Sequence, residues 1–210
     1  AASIRAKDLV RQILTFSRND KTKLIPIHPQ SLIKETLKLL RSTTPATISI
    51  VQDISDDCGA IMTDMSAFHQ VIMNLFGNAV QAMSEKGEVT VSLKEVNLNS
   101  SDLTLFSTLA PGSLKIPGAF AKFSVADTGS GIDPKIIEQI FDPFFTTKQL
   151  GEGTGMGLSV VHGVVESQGG FVTVESKKGK GSIFSVLIPI TQNEEILKIE
   201  ENSLVQPGQE

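Results

Sequence analysis

The residue types that could do chemistry are gathered between Asp127 and Gly157. An apolar run, Phe123 to Ala126, leads into the carboxylate of Asp127, and Thr128-Gly129-Ser130-Gly131-Ile132 follows it. Next come Phe141-Asp142-Pro143-Phe144-Phe145-Thr146-Thr147-Lys148 and Gly151-Glu152-Gly153-Thr154-Gly155-Met156-Gly157-Leu158. A long apolar-periodic segment, Leu158 to Ser167, leads out. A strand ending at a carboxylate, then glycine-rich backbone ending on a helix, is one way to build a nucleotide pocket. Glycines let main-chain N–H groups approach phosphates closely, and a helix N-terminus adds unpaired donors and a positive dipole end. Each piece alone is weak, since glycine clusters are mostly turns. Their number and order carry the signal.

Such a stretch needs an opposite wall, and Asp64 to Met83 can supply one. It reads as a helix of about five turns, mostly apolar, with Phe68, Val71, Ile72, Met73, Leu75, Phe76, Ala79, Val80, Ala82 and Met83. Gln70, Asn74 and Asn78 run along it at spacing four, with Gln81 beside them, so these side chains share one face. Asn disfavours helix interiors because its amide competes for backbone partners. Each amide left unsatisfied on a buried helix costs ~1–3 kcal/mol. Something polar must sit opposite: neighbouring backbone, or a ligand.

The remaining elements are those that must hold these two segments together. Lys23 to His28 reads as a short edge strand, with Pro26 and Pro29. A helix capped by Ser31 runs to about Ser42, and Thr47 to Asp53 alternates as a strand. Gly59 to Met62 is a short extended run; Val89 to Leu98 and Phe120 to Ala126 are strands around a long loop. Asp133-Pro134 starts a short helix to about Ile140. Gly163, inside the helix from Met156, implies close packing, and Gly169-Gly170 ends that helix. Phe171 to Glu175 and Ser182 to Ile190 are strands around a basic turn. This order predicts an α+β domain, an antiparallel or mixed sheet with helices on one face.

Ala1 to Asn19 reads as an amphipathic helix, with Ile4, Leu9, Ile13 and Phe16 on its apolar stripe. It either packs on its own domain or forms half of a dimerising hairpin. Thr191 to Glu210 reads as a polar linker, or as a short terminal helix through Ile196, Leu197 and Ile199. A net charge of -4 gives no basic footprint for nucleic acid. The single Cys58 excludes an intramolecular disulfide and fits a reducing compartment. No apolar run approaches the ~20 residues of a membrane span.

Taken together, the pieces resemble the ATP-binding catalytic domain of two-component sensor histidine kinases, the fold shared with DNA gyrase, MutL and the large heat-shock chaperone. The matching boxes are Asn74-Leu75-Phe76-Gly77-Asn78-Ala79, then Asp127 to Ile132, Phe141 to Lys148 and Gly151 to Gly157. Gly181-Ser182-Ile183-Phe184 resembles the last glycine element. The resemblance covers roughly Pro26 to Pro189. It implies a two-layer α/β sandwich over 21–190, preceded at 1–20 by an isolated helix, the second of a dimerisation and phosphotransfer hairpin. It leaves 191–210 as a tail or linker, possibly toward a receiver domain.

The resemblance also implies roles. Asn78 would ligate Mg2+, and Asn74 and Lys148 would act at the phosphates. Asp127 would accept a hydrogen bond from the adenine amine, with Gly129, Gly131 and Ile132 turning beneath the base. Phe141, Phe144 and Phe145 would anchor a lid. Thr146, Thr147, Lys148, Gly153, Thr154, Gly155, Met156, Gly157, Leu158 and Ser182 would complete the ATP contacts. The implied activity is transfer of the ATP γ-phosphoryl group to a histidine on a dimerisation helix outside this chain. His28, His69 and His162 do not fit that acceptor; His69 lies about 140° around its helix from Asn74.

The implied partners are that helix and a response regulator or receiver domain, in a homodimeric full-length protein. This segment would be cytoplasmic, a monomer or weak dimer without membrane or nucleic-acid contact, even where missing segments anchor the whole protein. The gyrase-type relatives carry a catalytic Glu where this chain has Asn74, which disfavours a self-sufficient ATPase. Gln81 stands where many kinases have Lys or Arg. A non-catalytic docking module on the same fold is the other alternative, and the serine-phosphorylating relatives lack a helix like Ala1 to Asn19.

Overall fold

The computed structural model describes residues 24–84, 86–102, 117–148 and 153–191. The helix expected over 1–19, most of the loop before Gly118 and the tail beyond Thr191 lie outside the described residues. The rest forms two layers. One is a five-stranded mixed sheet in the order β2 (Ile48–Ile54), β4 (Gly87–Leu98), β5 (Gly118–Asp127), β7 (Gly181–Pro189), β6 (Phe171–Lys177). Only β2 and β4 run parallel; the other neighbours are antiparallel. The second layer is α1 (Pro29–Thr43), α2 (Met65–Ala82) and α3 (Gly157–Ser167). A separate pair, β1 (Ile25–Ile27) with β3 (Ile61–Thr63), ties the start of the described chain to the sheet through Ile61 and Ile190.

Alternation decides which face of the sheet is covered. Val89, Val91 and Leu93 of β4 are fully buried, as are Phe123 and Val125 of β5. They meet Phe68, Ile72, Leu75 and Phe76 of α2, with Phe68 edge-on to Phe123 at 6.0 Å between ring centroids. On the other face Phe120, Phe171 and Leu187 form a small second cluster.

Helix α2 starts as its sequence dictates: Asp64 accepts from Ala67 N–H at 2.8 Å. Helix α1 does not. It begins at Pro29 rather than at a Ser31 cap, with His28 at the N-cap position and no side-chain cap bond. Proline fixes the first helical φ, and its missing N–H is one of the donors that have no intrahelical partner anyway, so the helix can start at Pro29. The helix expected from Pro134 to Ile140 is a single 3-10 turn, Pro134–Ile136, extended by i to i+3 bonds at Gln139, Asp142 and Phe145. Eight residues ahead of Pro143 are too few to nucleate a helix that the proline also terminates.

Gly163 needs correction as well. A Cβ there would meet nothing within 4 Å, and the residue is exposed, so close packing does not explain it. Gly169, at φ +71°, does end α3, its N–H and that of Gly170 donating to Glu166 O and Val165 O.

Candidate nucleotide-binding site

The floor of the site is a row of side chains on the helix-facing side of the sheet, at its end. Register sets Asp127 of β5 opposite Ser182 of β7, and Ser182 opposite Ser176 of β6. Asp127 is 8% exposed. Its Oδ1 accepts Gly129 N–H at 2.8 Å. Burial pushes its carboxyl above the usual carboxylate value, while backbone N–H bonds from Gly129 and Ser182 pull it back down.

The loop after Asp127 is pressed against α2 on one side and the β6–β7 turn on the other. A Cβ on Gly129 would lie 2.6 Å from Ala82 O, which accepts Ser130 N–H at 3.1 Å. One of the open carbonyls at the end of α2 is thereby satisfied. Gly131, at φ +65°, lies against the Lys177 backbone. Ile132 N–H donates to Ser176 Oγ at 2.8 Å. These glycines are required because backbone meets backbone.

The facing wall comes from α2 and the start of α3. Gly157 opens α3 beside both asparagines: a Cβ on it would lie 3.6 Å from Asn74 Oδ1 and 3.9 Å from Asn78 Nδ2. Asn74 Nδ2 is buried with no hydrogen-bond partner. Met156, at the N-cap of α3, makes no side-chain cap bond. An unpartnered amide over an uncapped helix N-terminus fits an anionic group. Among the described residues no three His, Cys, Asp or Glu cluster to hold a metal. A Mg2+ ion here would rely on an amide oxygen, phosphate oxygens and water, a donor set suited to it.

Between floor and wall runs the lid segment. Phe141 and Phe145 pack on the core, with Phe141 5.6 Å from the His162 ring. Phe144 does not anchor anything: it is 64% exposed, with φ +68°. Gly155, itself at φ +66°, packs on the Phe144 backbone, where a Cβ would lie 2.4 Å from the Phe144 carbonyl carbon. Lys148 Nζ donates to Gln81 Oε1 of α2, and Lys148 N–H donates to Thr146 Oγ1 at 3.2 Å. Gly153 packs on both, with a Cβ there 3.0 Å from Lys148 Cδ. Thr154 Oγ1 accepts Met156 N–H at 3.4 Å. Thus Thr146, Lys148, Gly153 and Thr154 are gathered near the start of α3. Thr147 is exposed, and the side chains of Ile132 and Leu158 turn to the core. Gly151 and Glu152 lie outside the described residues.

The three histidines have other partners or exposed positions; His162 packs on Phe141, with Glu166 one turn on. His69 Nδ1 lies 3.1 Å from Thr36 Oγ1, whose own proton goes to Leu32 O at 2.7 Å. His69 is therefore the donor, with its proton on Nδ1. His28 is exposed at the start of α1. Sequence reasoning missed Ser176, and it noted Gln81 without placing it in the site. Spacing along one strand cannot show either contact; only the β5–β7–β6 register and the approach of the lid to α2 do.

The family model described as histidine kinase-, DNA gyrase B- and HSP90-like ATPase matches residues 63–192. The chain belongs to that ATPase family. Among curated relatives of this ATPase domain is the sensor kinase CckA of Brucella abortus (strain 2308), 34% identical over 185 residues, 88% of this chain and 19% of that protein. The sensor histidine kinase ZraS of Escherichia coli (strain K12) is 32% identical over 89% of this chain and 35% of its own length. The chain therefore spans about a fifth to a third of these relatives. Among solved structures, full-length ShkA in complex with AMPPNP superposes with a TM-score of 0.67, at 26% identity, over 87% of this chain and 35% of that one. The two-layer fold is that of the histidine kinase and gyrase ATPases. No helix among the described residues is long and apolar enough to cross a membrane.

Proposed function

We propose that this chain is the ATP-binding catalytic part of a sensor histidine kinase, delivering the ATP γ-phosphoryl group to a histidine other than its own three. The observation that carries this reading is the buried, unpartnered amide of Asn74 beside the uncapped start of α3. It is paired across the cleft with a buried acceptor, Asp127.

Asp127, acceptor-only when ionised, takes the amine of adenine and disfavours a carbonyl at that place. Asn74 and the first N–H groups of α3 face the phosphates, and Lys148, held at Gln81, brings a positive charge to them. Asn78 offers its amide oxygen to Mg2+, which when bound neutralises part of the phosphate charge. These groups position and stabilise charge, which is most of what phosphoryl transfer requires. No carboxylate stands at position 74 to activate water, which favours a protein nucleophile over hydrolysis. Residues 21–190 form the catalytic domain on this reading. Residues 1–20 join a dimerisation hairpin that carries the acceptor, and a receiver domain or response regulator takes the phosphoryl group onward from the homodimer.

Calorimetry with Mg-ATP tests the reading directly. Binding is expected in the micromolar to low-millimolar range and lost in both Asp127→Asn and Asn78→Ala. Absence of binding, or binding indifferent to both changes, would make the boxes a scaffold for docking only.

A further inference from the structure

Helix α2 carries a second set of side chains whose chemistry the nucleotide site does not use. Met65, His69 and Met73 follow one another at spacing four. Each lies about 40° around the helix from the last, so the three stack along one face. The chain has five methionines. Met83 and Met156 are buried and Met62 is half-buried, whereas Met65 is 53% exposed and Met73 42% exposed. The two exposed methionines are thus the two that flank His69.

His69 is held from behind. Its Nδ1–H donates to Thr36 Oγ1 of α1 at 3.1 Å; Thr36 is fully buried, and its own proton goes to Leu32 O at 2.7 Å. That bond fixes the ring and its tautomer and leaves Nε2 as a lone pair. Among the described residues Nε2 has no hydrogen-bond partner, and it is not enclosed. A ring anchored through one nitrogen to a polar partner, with the other nitrogen free, is how metal-ligating histidines are held. Neighbours four apart on a helix have Cβ atoms about 5–6 Å from each other, and a methionine thioether swings on three rotatable bonds. Both sulfurs can therefore be brought to one ion at Nε2, from the turn before and the turn after.

We infer that Met65, His69 and Met73 form a surface site for a soft monovalent cation, Cu(I) or its redox-inert analogue Ag(I). Thioethers select Cu(I). A hard Mg2+ or Ca2+ ion needs oxygen ligands, and Zn2+ would find a single nitrogen where it takes four nitrogen, thiolate or carboxylate ligands. The central His69 lies about 140° around α2 from Asn74, so the ion would not share the phosphate side of the helix. The thiol is a poor competitor: Cys58 is 2% exposed, and burial, with the charge of Glu95, pushes it up to about 11. Little thiolate is then present at neutral pH.

The test titrates the chain with Ag(I) in chloride-free buffer and, anaerobically with ascorbate, with Cu(I) against bicinchoninate. One ion per chain is expected, shifting the methyl NMR signals of Met65 and Met73 and leaving those of Met62, Met83 and Met156 in place. Met65→Leu and Met73→Leu conserve volume, so the fold is kept. Each is expected to weaken binding about tenfold or more, since loss of even an outer partner costs a metal site that much, and the double variant should bind neither ion. His69→Gln should weaken binding as strongly, and Cys58→Ala should leave it unchanged. Ag(I) should raise the melting temperature of the unaltered chain and not that of the double variant. Failure of both ions to bind would overturn the inference and leave the two methionines as exposed apolar surface. Binding kept in the double variant would overturn it too, as would binding lost in Cys58→Ala, which would assign the ion to the thiol.

Discussion

Asp127 holds a charge in a place that resists it. Burial raises its pKa above the ordinary 3.8, and two backbone N–H donors offset only part of the rise. The folded state then binds this proton more tightly than the unfolded chain. Stability from this group therefore falls as pH rises from 3.8 through the raised folded-state value, and the loss is complete above it. Asp127→Asn removes the buried charge. Its melting temperature at neutral pH is expected to equal or exceed that of the unaltered chain, while Mg-ATP affinity falls by about tenfold or more, the loss of a hydrogen bond to a charged group. Thermal melts across pH 4 to 7 should also lose the Asp127 component; a lower melting temperature in the variant would mean that the N–H bonds outweigh burial. Asp127, Asn74 and Asn78 stand out in the sequence because a lone carboxylate at a strand end and amides on an apolar helix are locally unfavourable. Ser176 does not, because a serine in a strand costs nothing locally and its partners lie in two other segments.

At the scale of elements, two glycines in one region have opposite reasons for being there. Gly155 takes a left-handed φ of +66° with the Phe144 backbone where a side chain would go. Gly155→Ala is expected to strain the lid by roughly 1–2 kcal/mol or more and to weaken ATP correspondingly, read by calorimetry. Gly163 faces open space in the middle of α3. Gly163→Ala should stabilise the domain by about 0.5–1 kcal/mol through helix propensity alone, seen as a raised melting temperature. A fall there would reveal a contact of Gly163 that the fold does not show. Helix and strand identities followed from periodicity, with starts and stops shifted by one or two residues. The segment after Asp133 was misjudged because Pro143 and the lid, rather than local propensity, set its length.

For the whole molecule, the candidate site draws on α2, on the loop after β5 and on the start of α3, and the β4–β5–β7 register places Asp127 beside Ser182 at the sheet's end. His69 bonds Thr36, His162 packs on Phe141 beside Glu166, and His28 is exposed at the start of α1. Incubated alone with labelled ATP, the chain is expected to carry no acid-labile phosphate; stable labelling lost on His162→Ala would overturn the assignment of the acceptor to another histidine. A separate hairpin bearing the acceptor histidine should become labelled in its presence. The sequence by itself determined the family and the order of elements, since those depend on residue type and short spacing. Tertiary structure decided which hydroxyl stands behind Ser182, where Lys148 is held and which way Phe144 points. Those depend on strand register and on backbone packed against backbone, distances that no spacing along the chain encodes.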